Sequence, residues 1–244
     1  MRETGTADRD EIERFAAHPD WWEPGGSFRA LHRLNPVRLD FVRGEFLRHF
    51  GRDSRSVRPF DGLSLADIGC GGGLASEPMA RLGFRVTGVD AGAEGIAIAR
   101  DHAAASGLAV DYRVATAEHL AAEGARFDAA LALEIIEHVA DREAFFAALG
   151  ALVRPGGILI GATLNRTARS FALGIVAAEY VLGWVPRGTH EWSRFPRPSE
   201  FVLGLRRNGF RTVRLAGLSY SPLNDAWTVT DDLSVNYMLA AVRR

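Results

Sequence analysis

From residue 64 onward, short apolar runs alternate with longer amphipathic segments. SLADIG (64–69), RVTGVD (85–90), VDYRVA (110–115), FDAALAL (127–133) and GILIGATL (157–164) have the length and near-continuous apolar character of strands covered on both faces. Between them lie ASEPMARLG, AEGIAIARDHAAASG (93–107), AEHLAAEG and REAFFAALGALV (142–153), which read as helices. This alternation predicts an α/β fold with a parallel sheet between two helical layers. Past residue 197 the pattern changes. Helix PSEFVLGLRRNG leads to strand FRTVRLAGLSY (210–220), and WTVTDDLSVNYMLAAVRR is expected to close the sheet as one strand antiparallel to it. Upstream, EIERFAAHPDWW and FRALHRLNPVRLDFVRGEFLRHF carry helical rhythm, interrupted at Pro19 and by the glycines at 25–26. Residues 1–60 are therefore expected to form an N-terminal helical cap with a frayed polar start. Residues 165–197 form an insertion after strand five.

Composition narrows the class. At 244 residues, 47% hydrophobic and 24% charged, the chain suits one globular domain over 1–244. A net charge of −1 gives no global attraction to nucleic acid or anionic membrane. All 29 basic residues are arginine, which reads as genome composition rather than function. The single cysteine, Cys70, excludes an internal disulfide and fits a reducing compartment. The segment MRETGTADRDEIERF lacks the apolar core of a secretory signal, so a cytoplasmic location is expected.

The chemistry starts at 67-DIGCGGG-73, between a strand and a helix. The spacing D-x-G-x-G-x-G does not satisfy the dinucleotide pattern G-x-G-x-x-G, because Leu74 or Ser76 falls where the third glycine should stand. Asp90 ends the next strand, where a carboxylate can take both hydroxyls of a ribose. The pattern resembles motif I of class I S-adenosylmethionine (SAM)-dependent methyltransferases, as do the strand at 127–133 and the RPGG turn at 154–157. The resemblance implies a Rossmann-like fold, with a seven-stranded, mostly parallel sheet and an antiparallel C-terminal edge. It also implies a SAM site built from Asp67, Gly69, Gly71, Asp90 and Leu133, with Glu118 against the adenine.

Just past strand four stands 134-EIIEHV-139. If it begins a helix, Glu134, Glu137 and His138 share one face, and could hold Mg²⁺, Mn²⁺ or Zn²⁺ or supply a general base. Local pairing of Glu137, with His138 lining a pocket wall, is the plainer alternative. SAM chemistry needs only alignment and removal of the acceptor's proton. A phenol, with a pKa near 10, needs that help at neutral pH. His138 is the first candidate for the proton acceptor and Glu137 the second.

The blocks 21-WWEPGGSFRALHRLNPVRLDFV-42, 163-TLNRT-167, 178-AEYVLGWVPRGTHEWSRFPRPSE-200 and 234-SVNYML-239 are similar to the ubiquinone-biosynthesis O-methyltransferases over nearly the whole chain. Pro196 departs slightly from the family pattern. The resemblance adds Arg38 to the SAM contacts. It places a divalent cation, as in eukaryotic members, at Glu134, Glu137 and His138. The acceptors it implies are polyprenylated phenols and quinols: 2-polyprenyl-6-hydroxyphenol and 3-demethylubiquinol. It also leaves room for a ubiquinone-biosynthesis complex. A small soluble catechol, or a non-catalytic SAM-binding subunit, are the rival readings. No basic stripe with interleaved aromatics lies outside 164–197, which disfavours nucleic acid.

One stretch remains. Phe171–Val185 is apolar except for Glu179, too short to span a bilayer, and flanked by Arg166, Arg169 and Arg187. It is expected to be a lid that doubles as an anchor to an anionic membrane surface through residues 165–187, placing the enzyme at the inner face of the cytoplasmic membrane. Trp21, Trp22 and Phe28 read as core or as a lid over the cofactor, and Asn165 and His190 as weaker pocket-wall candidates.

Overall fold

The computed structural model describes residues 12–14, 18–173, 191–221 and 223–244. The expected central lid, 174–190, with Glu179, Arg187 and His190, lies outside the described residues. Of the first expected helix, 12–14 are helical. The longest helix, α1 (Arg29–Phe50), continues through Pro36 and stops at Gly51. There a left-handed φ of 61° lets the Gly51 N–H close back on the Leu47 carbonyl, a turn that glycine adopts without strain.

The alternating segments become β1 (Ser64–Ile68), α2 (Ser76–Arg81), β2 (Arg85–Asp90), α3 (Ala93–Ala105), β3 (Asp111–Val114), α4 (Ala117–Ala122), β4 (Phe127–Leu133), α5 (Arg142–Leu152) and β5 (Val153–Leu164). Then come α6 (Pro198–Arg207), β6 (Phe210–Ser221), β7 (Ala226–Thr230) and β8 (Asn236–Arg243). The sheet order is β3-β2-β1-β4-β5-β8-β6-β7, parallel through β5 and antiparallel beyond it.

Among the described residues the sheet has eight strands where seven were expected. The closing segment splits, because Asp231 and Asp232 leave the ladder and the Asp232 carboxylate caps the bend that follows, its Oδ1 accepting from the Ser234 N–H. The first piece is the outer edge strand. The second slots between β5 and β6, pairing Ile158 with Val242 through Leu164 with Asn236.

Two apolar layers cover the sheet. Phe145, Phe146, Leu149, Phe201 and Leu205 pack on one face, and Phe41, Val42, Phe46, Phe60, Met79 and Phe84 on the other. Burying each such side chain contributes about 1.5–3 kcal/mol. Because β1 to β5 are parallel, Ile68, Asp90, Val114, Leu133 and Leu164 all end at one edge of the sheet. Ligands bind there in open α/β sheets.

Candidate active site

The loop after β1 turns on backbone bonds to its neighbour strand: the Gly69 and Cys70 N–H groups both donate to the Val89 carbonyl, at 2.8 and 3.1 Å. Gly69 and Gly71 have φ of 73° and 49°, the left-handed region. A Cβ on Gly69 would lie 2.8 Å from the Ile135 side chain, and one on Gly71 would run into the Trp21 ring. Glycine is required twice over, for conformation and for space.

Asp90 fixes this loop to the next one. Its two carboxylate oxygens accept from the Gly71 N–H (2.9 Å) and the Gly92 N–H (2.8 Å). A carboxylate oxygen has two lone pairs, so each can accept once more, as a ribose contact needs. Burial raises the Asp90 pKa, opposed by those two N–H groups and by His138. Asp67 is buried beneath the loop and accepts from Ser76 Oγ at 2.6 Å. Burial pushes its pKa up to about 6, against the pull of the Ser76 hydroxyl and of Arg38. Sequence reasoning missed Ser76, although its position in the first turn after the glycines could have suggested it.

Arg38 is brought in by α1. It is 3% exposed, donates to Asn35 Oδ1 (2.5 Å) and reaches Glu134 Oε1 at 3.4 Å. Its Nε is buried with no hydrogen-bond partner among the described residues. A buried cation with an unused donor suits the carboxylate of an amino-acid tail. Leu133 ends β4, buried, and Glu118 lies in the first turn of α4, whose N-cap is Thr116. These residues fit a SAM molecule: acids for its cationic end, a cation for its carboxylate and an acid for its ribose.

The segment 134–139 is a turn, not the expected start of a helix. Its tertiary contacts win over the helical spacing of its apolar residues. The Glu134 N–H donates to Ala162 of β5 (2.9 Å), and the Ile135 side chain packs on Gly69. Glu134 takes φ 52°, strained for a residue with a Cβ by about 1 kcal/mol. Its carboxylate turns to Arg38.

Glu137 is 2% exposed and accepts from Thr163 Oγ1 at 2.9 Å, while its other oxygen has no partner among the described residues. Burial, with Glu134 nearby, holds its pKa well above the ordinary carboxylate value. His138 is half-buried, and its electrostatic influence on Asp90 works against the upward shift of that carboxyl. Among the described residues no three His, Cys, Asp or Glu side chains gather closely enough to hold a metal ion. Glu134 is turned to Arg38 and Glu137 to Thr163, so as placed these two and His138 do not gather as the expected cation would need.

The described ends of the insertion are tied together. Trp192 Nε1 donates to the Thr167 carbonyl (2.9 Å), and Asn165 is held by Val235 and Leu233. Arg166 pairs with Glu200, and Arg169 with Asp232 at 2.6 Å. Phe171 and Leu173, each 48% exposed, and Trp192 project from these ends. Pro196, the departure from the family pattern, offers its carbonyl to the buried Tyr237 hydroxyl at 2.9 Å.

A family model described as "Methyltransferase domain" matches residues 66–161. The chain is 54% identical to the ubiquinone biosynthesis O-methyltransferase of Paramagnetospirillum magneticum, over 100% of this chain and 98% of that protein. It is 51% identical to the protein of the same name in Parvibaculum lavamentivorans, over 98% and 94%. Among solved structures, the magnesium protoporphyrin IX methyltransferase of Synechocystis with bound SAH superposes with a TM-score of 0.63. It is 19% identical and covers 96% of this chain and 93% of its own, a likeness of fold.

Proposed function

From the premise that the chain belongs to the ubiquinone biosynthesis O-methyltransferases, we propose that its acceptor is the phenolic hydroxyl of a polyprenylated catechol, in 2-polyprenyl-6-hydroxyphenol and 3-demethylubiquinol alike. The chain is a SAM-dependent methyltransferase of the class I fold. When bound, SAM supplies a methyl group activated on a sulfonium.

The chain's own residues do the rest. Arg38 receives the carboxylate of the cofactor's tail, and Asp67 its positive end. Asp90 takes the ribose hydroxyls, Leu133 packs against the cofactor and Glu118 meets the adenine. Gly69 and Gly71 keep the loop close enough for this. What supports the acceptor chemistry is the turn 134–139, which follows directly on β4 and so carries the half-buried His138 at the carboxyl edge of the sheet. From there His138 takes the proton of the acceptor hydroxyl as its oxygen attacks, a role typically worth 10²–10⁴ in rate. Glu137, buried against Thr163, helps hold the turn in place.

The tail of such an acceptor lives in a bilayer. No helix among the described residues is long and apolar enough to cross one. We read the half-exposed Phe171, Leu173 and Trp192 as the described part of a surface that rests on the membrane, on its cytoplasmic side. Arg166 and Arg169 bind Glu200 and Asp232 of their own chain, so in this reading the apolar side chains carry the contact. The test is transfer of labelled methyl from SAM to a short-tailed demethylubiquinol, with and without EDTA. Product that persists in EDTA is expected from the placement of the three side chains. Product that EDTA abolishes and Mg²⁺ or Zn²⁺ restores would overturn the metal-free role of His138.

A further inference from the structure

The N-terminal segment 18–28 is not a loose leader to α1. The Asp20 carboxylate accepts from the Ser27 N–H (2.6 Å), the Glu23 and Gly26 N–H groups donate back to the Asp20 and Glu23 carbonyls, and His32 Nε2 meets the Trp21 carbonyl at 2.8 Å. Trp21 stacks on Phe28 with ring centroids 3.7 Å apart. The segment thus forms a compact strap with its own hydrogen bonds, and its two tryptophans project onto the glycine loop.

Both tryptophans touch that loop. The Trp21 side chain fills the space where side chains of Gly71 and Gly72 would stand, coming within 2.5 Å of where a Gly72 Cβ would be. Trp22 Nε1 donates to the Gly72 carbonyl at 2.9 Å. Upstream, an Ile12 methyl lies 4.0 Å from where a Gly92 Cβ would be, beside the loop that Asp90 caps. The strap therefore closes on the glycine loop, while the helical residues 12–14 lie near the loop that Asp90 caps.

What holds Trp22 there is a platform built on two helices. Its indole lies flat on the His102 ring, centroids 3.5 Å apart and planes 5° from parallel. His102 sits in α3, and its Nδ1 is 2.5 Å from Glu77 Oε1 of α2. Glu77 is fully buried, and its other oxygen accepts from Arg81 at 3.0 Å. A carboxylate only accepts, so Nδ1 carries the proton and the ring plane is fixed. An imidazole so oriented offers the indole a rigid face.

We propose that Trp22, clamped between Gly72 and the Glu77-fixed ring of His102, is a latch that keeps the strap closed over the glycine loop and thereby sets how fast the spent cofactor leaves. Trp22, His102 and Glu77 are positioning residues, acting on the cofactor through the strap. The proposal rests on the SAM site described above. It concerns retention, which the family assignment does not address.

The experiment follows release of S-adenosylhomocysteine from the full chain by stopped-flow displacement, with affinity by calorimetry. Compared are wild type, His102→Ala, Trp22→Ala and Trp22→Phe. Both alanine variants remove the stack, and are expected to release the product about fivefold to tenfold faster, and to raise the KM for SAM similarly while kcat falls less than twofold. Trp22→Phe keeps the ring face and loses the indole N–H, so it should recover most of the retention. Thermal denaturation reports whether each variant is folded. Release at the wild-type rate from folded His102→Ala would overturn the latch and leave the SAM site intact. Absence of S-adenosylhomocysteine binding in wild type would overturn the site reading itself.

Discussion

Replacing Asp67 by asparagine should make the free protein more stable at neutral pH and a poorer host for SAM. The carboxyl is 2% exposed, and burial raises its pKa from 3.8 to about 6 in the folded chain. A group that holds its proton more tightly when folded stabilises the fold when protonated and destabilises it when ionised. Its contribution to stability is therefore fully present below pH 3.8, declines as pH rises, and is gone above about 6. Two pH units correspond to about 3 kcal/mol. An uncharged amide at this position does not ionise and lacks this loss, so the stability advantage of Asp67→Asn should grow between about pH 4 and 6 and level off near that value.

SAM binding reverses the preference, because its sulfonium and ammonium favour the ionised acid. Wild-type affinity should weaken as pH falls below about 6, by up to about tenfold per unit, whereas Asp67→Asn should bind weakly with little pH dependence. Urea denaturation from about pH 4 to 8, with calorimetry of SAM binding over the same range, measures both. A stability difference independent of pH, or equal pH profiles of binding, would show that Asp67 does not titrate near 6 in the folded chain.

Three further outcomes follow. His138→Ala should lower kcat by about 10²–10⁴ while SAM affinity stays near wild type, and an unchanged kcat would remove it as the base. Thr163→Val leaves the buried Glu137 carboxylate without its hydroxyl partner and should cost about 1–3 kcal/mol in chemical denaturation. Phe171→Asp with Leu173→Asp should reduce co-sedimentation with anionic liposomes about fivefold or more, since two half-exposed apolar side chains are removed from the contact. Binding equal to wild type would place the membrane contact elsewhere.

The glycine turn and its tie to Asp90 were legible because their physics is local. The acid, the glycines and Asp90 lie within one strand–turn–helix–strand unit, so their spacing alone brought them together, and the order β1 to β5 followed from the same alternation. Long-range contacts were not readable. Ile135 seats on Gly69 and the Glu134 N–H finds Ala162, and together these override a helical pattern in 134–139. Arg166 and Arg169 looked free for lipid but find carboxylates 34 and 63 residues away. The stack of Trp22 on His102 joins residues from opposite ends of the cofactor half, and nothing in the sequence around either announces it. The split of the closing segment into β7 and β8 was marked by Asp231 and Asp232, which interrupt the alternation, but a strand was read through them.

This site is proposed to pass a methyl group from SAM to a hydroxyl on a tailed catechol. It is tested most directly by incubating the protein with labelled SAM and, in parallel, a short-tailed demethylubiquinol and an untailed catechol. A labelled methyl ether of the tailed quinol is expected, formed with higher kcat/KM than that of the small catechol and lost in His138→Ala. SAM binding with no methylation of the tailed quinol, or equal use of the untailed catechol, would contradict it.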